Sequence, residues 1–335
     1  MEFTSDIERG CGIDVHKETV VATIAGKGLR KQTREFSTYT SSLTNMRKWL
    51  TDNRVTHAAI ESTGIYWKPV FNIIGEDVKL ILVNARHIKH VPGRKTDIKD
   101  SEWICQLLLS GLLKASFIPP TDIRELRDIT RYQLKLNQQI TAEKNRIIKE
   151  LEDANIKLSS VLSDVSGSTG SKIVNALIEG ENDPEKLMQF YHKNIKVDRE
   201  EFKEALTGRL TEHHRFMLRQ MKQRIFSLEK QIEEIVNEID KRVASYEKDI
   251  ELLRGIPGVA RKGAIGIISE IGTDMSVFAT EHHLASWSGL SPVNNESAGK
   301  KKCKNNLWRQ IFKIIDGGIS LGRIKNKKYF FPSKI

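Results

Sequence analysis

The chain has 335 residues, which is enough for two or three domains that each bury a hydrophobic core. Its formal net charge of +11 favours a polyanionic partner, nucleic acid before a membrane surface. No apolar run approaches the roughly 18 residues that a membrane-spanning helix needs, and three widely separated cysteines argue against structural disulfides and zinc.

The first part of the chain alternates strand and helix signals, which predicts an α/β layer with a mixed sheet. Strand signals cover a pair of strands in residues 11–25 and then 32–37, 57–60 and 78–83, with helix signals between them. Asp14 lies inside the first predicted strand, and Glu61 directly follows the predicted strand at 57–60. A buried carboxylate without a partner is costly, so Asp14 requires a metal ion or a basic partner.

A basic loop containing Arg94 and Lys95 leads into an amphipathic helix. Helical spacing places Asp97 and Asp100 on one face at its start, where they repel each other unless a cation, a metal ion or a shared proton relieves them. An acidic first turn that only complements the helix dipole is the alternative. The apolar positions predicted to be buried are Ile104, Leu107, Leu108 and Leu112.

Residues at strand ends converge on one edge of such a sheet, so we expect Asp14 and Glu61 to meet the helix that carries Asp97 and Asp100. Four hard oxygen donors suit Mg²⁺ or Mn²⁺ rather than zinc. Two such ions about 4 Å apart support in-line phosphoryl displacement. The alternative is that these acids are unrelated and each is solvated.

A helical region follows Pro119 and Pro120. The pattern predicts a long helix over 122–160, a flexible break over 163–171 and short helices of no legible role over 175–210. In 213–243 the apolar residues recur three and four apart and predict a coiled-coil seam: Leu218, Met221, Ile225, Leu228, Ile232, Ile235 and Ile239. Its partner is the 122–160 helix or a second copy of the chain, unless this is a plain helix packed on the protein's own core.

Residues 253–271 predict a helix-hairpin-helix with its tight turn at 255–259. Backbone amides at such a turn hold a phosphate without reading the base sequence, and Arg261 and Lys262 add positive charge. A packing turn without a ligand is the alternative.

Ser297 lies in a small-residue turn beside Lys300, Lys301 and Lys302. A basic cluster binds phosphate and favours a serine alkoxide, which would make Ser297 a nucleophile. The alternative is an ordinary surface loop.

Five segments in this order resemble the DEDD transposases of the Piv-invertase-like insertion-sequence family. They are GIDVHK at residues 12–17, ESTGIYW at 61–67, KTDIKD at 95–100, LRGIPGV at 253–259 and SGLSPVNNESAGKKK at 288–302. The resemblance runs over nearly the whole chain. It implies a RuvC-like, ribonuclease-H-type α/β domain at 8–118, a helical coiled-coil region at 121–248 and a helical C-terminal transposase domain at 250–330.

Taken residue by residue, the resemblance implies that Asp14, Glu61, Asp97 and Asp100 bind Mg²⁺ and that Ser297 forms a covalent phosphoserine with DNA. It also implies donor and target DNA as substrates, a structured guide RNA, and a dimer or tetramer in a prokaryotic cytoplasm at the nucleoid. The expected nucleic-acid contacts are Arg94, Lys95, Arg261, Lys262, Lys300, Lys301 and Lys302.

Two rival functions stay open. One is a junction nuclease that uses only the acidic tetrad. The other is a decayed copy that binds nucleic acid without strand transfer. The decayed copy is suggested by residues 303–306, which run directly into Leu307 and Trp308, whereas relatives continue with a longer segment.

Overall fold

A computed structural model describes residues 7–62, 64–84, 100–113, 115–287, 296–297 and 300–301 of the chain. The described residues divide into two compact units. The first unit holds those up to Ile118 together with Ser276–Glu281, and the second holds those of Pro119–Met275 and from His282 onward. Among the described residues, the predicted regions 121–248 and 250–330 fall almost entirely in the second unit.

Five strands form a mixed sheet in the first unit: β1 (Arg9–Val15), β2 (Thr19–Gly26), β3 (Leu29–Ser37), β4 (His57–Glu61) and β5 (Lys79–Val83). Their spatial order is β3-β2-β1-β4-β5. The pairs β1–β2 and β2–β3 are antiparallel, whereas β1–β4 and β4–β5 are parallel. The predicted mixed α/β layer is therefore confirmed, and it is consistent with the RuvC-like domain that the resemblance implies.

Helices cover both faces of this sheet. Helices α1 (Thr40–Asp52) and α2 (Trp67–Ile74) share one apolar cluster with Ile13 and Ile60. Helix α3 (Asp100–Leu109) packs on the opposite face, in a cluster with Ala59. Neighbouring strand residues thus point to different clusters, as the pleat requires.

The end of α3 departs from the prediction. Ile104, Leu107 and Leu108 are buried as expected, but Leu112 is 52% exposed. The helix ends at Leu109, and Gly111 takes a left-handed conformation with a φ of 67°. Because the helical period stops there, Leu113 is buried in place of Leu112.

The second unit begins with six helices: α4 (Thr121–Asp153), α5 (Leu158–Val161), α6 (Ser168–Ile178), α7 (Pro184–Leu187), α8 (Arg199–Ala205) and α9 (Glu212–Val243). The long helices α4 and α9 are antiparallel, because His214 Nε2 lies 2.9 Å from Asp153 Oδ2 at one end and Arg242 donates to Glu125 over 2.7 Å at the other. Their shared core comprises Leu136, Ile140, Ile147, Leu151, Leu218, Met221, Ile225 and Leu228.

The apolar stripe of 213–243 therefore packs against the chain's own α4, while coiled-coil packing remains a prediction. Residues 175–210 contain short helices, as expected. The flexible break predicted for 163–171 is wrong in its second half, because α6 begins at Ser168. Gly170 allows this, since a Cβ there would lie 2.1 Å from the Val165 carbonyl oxygen.

The described chain continues with α10 (Glu247–Arg254), α11 (Arg261–Ile271), α12 (Glu281–Trp287) and two short paired strands, β6 (Glu296–Ser297) and β7 (Lys300–Lys301). Residues 253–271 comprise the last two residues of α10, a connecting segment and α11, while a helix-hairpin-helix remains a prediction. None of the helices in the described part of the chain combines the length and apolar character needed to cross a membrane.

Candidate active site

Two of the predicted acids lie at the same level on neighbouring parallel strands. The register pairs Ile13 of β1 with Ile60 of β4, and Asp14 and Glu61 are the next residue on each strand. Because side chains alternate along a strand, Glu61 faces the same side of the sheet as Ala59, which packs with α3. Both carboxylates therefore stand at the carboxyl ends of β1 and β4.

Helix α3 reaches this edge because of a glycine in β1. A Cβ on Gly12 would lie 2.1 Å from the carbonyl oxygen of Ser101 and 2.3 Å from the backbone nitrogen of Cys105. Only a glycine permits so close an approach of helix and strand. The hydroxyls of Thr23 and Ser101 also share a buried hydrogen bond of 2.9 Å, which ties the first turn of α3 to β2.

The contacts of the two glycines in β1 give the direction of the helix. Gly10 faces Leu108 near the end of α3, whereas Gly12 faces Ser101 near its beginning. Asp14 is two residues further along the same face of the strand, so it lies toward the helix start, where Asp100 is the first residue. The fold thus brings Asp14, Glu61 and Asp100 to one corner of the sheet.

Asp100 and Glu61 act electrostatically on Asp14. The pKa of Asp14 is raised above its ordinary value, chiefly by burial and further by the negative charges of Asp100 and Glu61. His16 opposes the shift, with its Nε2 3.2 Å from Asp14 Oδ2. Such a corner disfavours three bare negative charges and favours a bound cation.

The donor chemistry fits a hard divalent ion, since carboxylate oxygens are the ligands that Mg²⁺ and Mn²⁺ prefer. Within the described residues, no three His, Cys, Asp or Glu side chains are placed to enclose one metal ion. Asp97, the fourth predicted acid, lies outside the described residues, as do Arg94, Lys95 and Lys302. Asp14, Glu61 and Asp100 are therefore neighbours without forming a closed cage.

Ser297 lies in the second unit, in the short ladder of β6 and β7. Its backbone pairs directly with Lys300, and Glu296 pairs with Lys301. The chain thus places the predicted nucleophile opposite one of the lysines that the sequence associates with it.

Arg261 and Lys262, the basic residues predicted to hold phosphate, lie in the first turn of α11, and Arg261 has partners inside the protein. Arg261, the first residue of α11, donates to Glu247 over 2.5 Å and lies 3.5 Å from Asp240. Lys262 lines a cavity of about 300 Å³ together with residues that include Arg131 and Glu270. Arg261 therefore joins α11 to α9 and α10, a role that a simple basic patch does not predict.

A buried ion pair joins α11 to α4. Glu270 is 3% exposed, and both of its carboxylate oxygens accept from Arg131, over 2.7 and 2.8 Å. Arg127 adds a contact of 3.2 Å to the same carboxylate and donates to the backbone oxygen of Ser269. This clamp fixes the far end of α11 on the long helix.

Two positioning residues were not singled out from the sequence. The sequence contains a signal for the role of Gly12, because a glycine inside an apolar strand indicates that another backbone segment approaches closely. His16 follows Asp14 by two residues and contacts it across the turn after β1. No spacing rule predicts that contact, because it depends on the turn.

The geometry and the comparisons together define a class of protein. One family model, for the DEDD transposase domain of the IS110 family, matches residues 11–156, and a second, described as Transposase IS116/IS110/IS902 family, matches residues 250–310. Together they cover more than half of the chain. The protein is a transposase, an enzyme whose substrate is DNA and whose DEDD domain belongs to a class that generally uses a divalent metal ion.

The chain belongs to the IS110 family of insertion-sequence transposases. None of the curated proteins compared with it matches.

Proposed function

We propose that this transposase cleaves and exchanges DNA strands with Mg²⁺ or Mn²⁺ and with Ser297 as the nucleophile. The observation that carries the proposal is the meeting of Asp14, Glu61 and Asp100 at one corner of the sheet, where burial, and after it the charges of Asp100 and Glu61, raise the pKa of Asp14. Asp97, three residues before Asp100 in the sequence, completes the proposed metal-binding set.

In the proposed reaction, Ser297 Oγ attacks a DNA phosphorus and forms a phosphoserine ester, while the displaced DNA hydroxyl leaves with the proton. A hydroxyl of the second strand then attacks the same phosphorus and releases Ser297. The phosphoserine ester conserves the energy of the broken phosphodiester bond, so the strands can be rejoined without ATP. A divalent ion at the acidic corner would polarise the scissile phosphate and stabilise the leaving oxygen. Lys300, Lys301 and Lys302 would balance the charge of the phosphate.

The proposal includes a guide RNA and more than one subunit. Base pairing of a structured RNA with donor and target DNA would choose the sites, which fits a chain of net charge +11. The acids belong to the first unit and Ser297 to the second. A composite site built from a dimer or tetramer would bring both groups to one phosphate, with the protein acting at the nucleoid in the cytoplasm.

The test is the fate of Ser297→Ala, with Ser291→Ala as a control in the same segment. End-labelled donor and target DNA are incubated with the protein, Mg²⁺ and the element's RNA, and covalent adducts are resolved on denaturing gels. We expect an adduct with wild type and Ser291→Ala, none with Ser297→Ala, and no recombination with Asp97→Asn.

The rival functions give different results in this assay. A junction nuclease would cut DNA equally well with Ser297→Ala, and a decayed copy would show neither adduct nor strand exchange with the wild-type chain. Either result would end the serine mechanism. Unchanged recombination by Asp97→Asn would remove that residue from the site.

A further inference from the structure

A second cavity lies between α4, α6 and α9, within the second unit. Its volume is about 330 Å³, and the residues that line it include Lys144 of α4, Lys222 of α9, Ser166, Ser171 and Phe226. This is the size range in which proteins hold small ligands, and the lining combines cationic, hydroxyl and aromatic groups. The proposed strand-exchange chemistry uses none of these residues.

The two lysines of this cavity carry charge that no carboxylate neutralises in the described structure. Lys222 Nζ donates to Ser171 Oγ over 3.1 Å, and Lys144 has no hydrogen bond or ion pair with any described residue. By contrast, Arg146 of α4 pairs with Glu143, and Arg215 at the start of α9 pairs with Glu212. The part of the cavity that Lys144 and Lys222 line is therefore suited to an anion.

An aromatic residue, Phe226, also lines the cavity. Phe226 is 72% exposed and lies one helical turn from Lys222, on a neighbouring part of the α9 surface. An exposed aromatic ring is stabilised most when another flat ring system stacks on it and removes its apolar face from water. Glu229 also lines the cavity, but seven residues separate it from Lys222, about 10 Å along the helix axis. The negative charge of Glu229 is thus away from Lys222, and it disfavours a second phosphate near Phe226.

The sequence of α9 supports a polyanionic partner for this surface. Between Glu212 and Glu229 the helix contains no acidic residue, while Arg215, Arg219, Lys222 and Arg224 are all basic. Phosphate contacts by Arg and Lys provide the salt-dependent part of nucleic-acid binding, and exposed aromatic rings provide stacking for unpaired bases. Duplex DNA offers phosphates but keeps its bases stacked on each other.

We propose that this cavity binds one nucleotide of a single-stranded nucleic acid. Its phosphate lies between Lys144 and Lys222, with the hydroxyls of Ser166 and Ser171 as donors, and its unpaired base stacks on Phe226. The inference rests on the proposed function only in taking nucleic acid as the partner. Both an RNA and a displaced DNA strand present this chemistry.

The test uses the full-length chain and two photoreactive oligonucleotides, a ten-residue oligouridine with 4-thiouridine and a ten-residue oligothymidine with 4-thiothymidine. After irradiation and trypsin digestion, the tryptic peptide of residues 225–230, which contains Phe226, is separate from that of 216–219, which contains the exposed Phe216. We expect the crosslink in 225–230 and not in 216–219. The polymer that gives it identifies the ligand as RNA or DNA.

Variants then test the phosphate contact. Lys144→Gln with Lys222→Gln is compared with Lys149→Gln with Lys241→Gln, which removes the same two charges from the same two helices outside the cavity. We expect the cavity variant to lose the crosslink and to lower the slope of log Kd against log salt concentration by about 1. We expect Phe226→Ala to weaken single-strand binding by about tenfold and duplex binding by much less.

No crosslink in 225–230 from either polymer, or an undiminished one in the cavity variant, would overturn this site. An equal loss of crosslinking in the control variant would overturn it as well. Thermal unfolding of each variant checks that the fold is kept. The Ser297 adduct assay is independent of this result, so failure here and failure of the serine mechanism are distinguishable.

Discussion

Replacing Gly12 by alanine adds one methyl group at the contact between β1 and α3. That methyl carbon would lie 2.1 Å from the Ser101 carbonyl oxygen and 2.3 Å from the Cys105 nitrogen, whereas ordinary contacts begin near 3.4 Å. Both neighbours are backbone atoms, so no side-chain rotation relieves the clash and α3 must retreat by more than 1 Å. Overpacking of this kind costs about 1–3 kcal/mol, and we expect the upper end.

The same displacement moves Asp100 away from Asp14, since Asp100 directly precedes Ser101. A misplacement of about 1 Å at a reacting centre costs roughly a hundredfold in rate. We therefore expect Gly12→Ala to lower the Tm of the first unit by about 10 °C and to reduce strand exchange by about two orders of magnitude where the variant remains folded. Tryptophan fluorescence can follow this unit, because Trp49, Trp67 and Trp103 lie in it.

Gly10→Ala is the matched control, on the same strand and the same face. Its added methyl would meet the side-chain ends of Leu108 at 3.0 Å and Leu109 at 3.2 Å, which can rotate away. We expect a loss of about 1 kcal/mol or less and nearly normal strand exchange. Equal Tm values for the two variants, or wild-type exchange by Gly12→Ala, would refute the argument that this glycine sets the position of α3.

Three further predictions concern charged and hydrogen-bonded groups. Because the folded state raises the pKa of Asp14, the unfolding free energy of wild type falls as pH rises from the ordinary value of 3.8 through the raised one. Asp14→Asn should therefore raise the Tm in EDTA at neutral pH and abolish any Tm increase on adding Mg²⁺; a lower Tm in EDTA would contradict this. Glu270→Gln should lower the free energy of unfolding in urea by about 3 kcal/mol, because Arg127 and Arg131 lose their carboxylate partner. The control Glu247→Gln, at an exposed ion pair, should change that free energy by about 0.5 kcal/mol or less. Similar losses in both would show that burial does not decide the effect. A hydrogen bond to Asp122 raises the pKa of Tyr246 to about 12, so wild-type stability should fall between pH 10 and 12. Tyr246→Phe should remove this decrease when the free energy of unfolding is measured against pH. A decrease that persists in the variant would assign it to another group.

Several features of the fold followed from local patterns. The alternation of strand and helix signals predicted the mixed sheet, and the spacing of Ile104, Leu107 and Leu108 predicted the buried face of α3. The patterns were wrong where a glycine changes the chain direction or packing. Gly111 ends the stripe that includes Leu112, and Gly170 lets α6 begin inside a segment that reads as a flexible break. Glycine occurs both in flexible loops and at close backbone contacts, so composition cannot distinguish the two.

The sequence by itself indicated the transposase family, because five motifs occur in a set order, and these motifs predict Asp14, Glu61, Asp97, Asp100 and Ser297 as site residues. It also determined that 213–243 has an apolar stripe in need of a partner. The tertiary structure decided which surfaces meet. It paired that stripe with α4, used Arg261 to join α11 to its neighbours, and brought Asp14 to the start of α3 through Gly12. The physical reason is that periodicity records spacings of a few residues, whereas these contacts join residues that are 14 or more positions apart, and only the packing of complete elements selects among them.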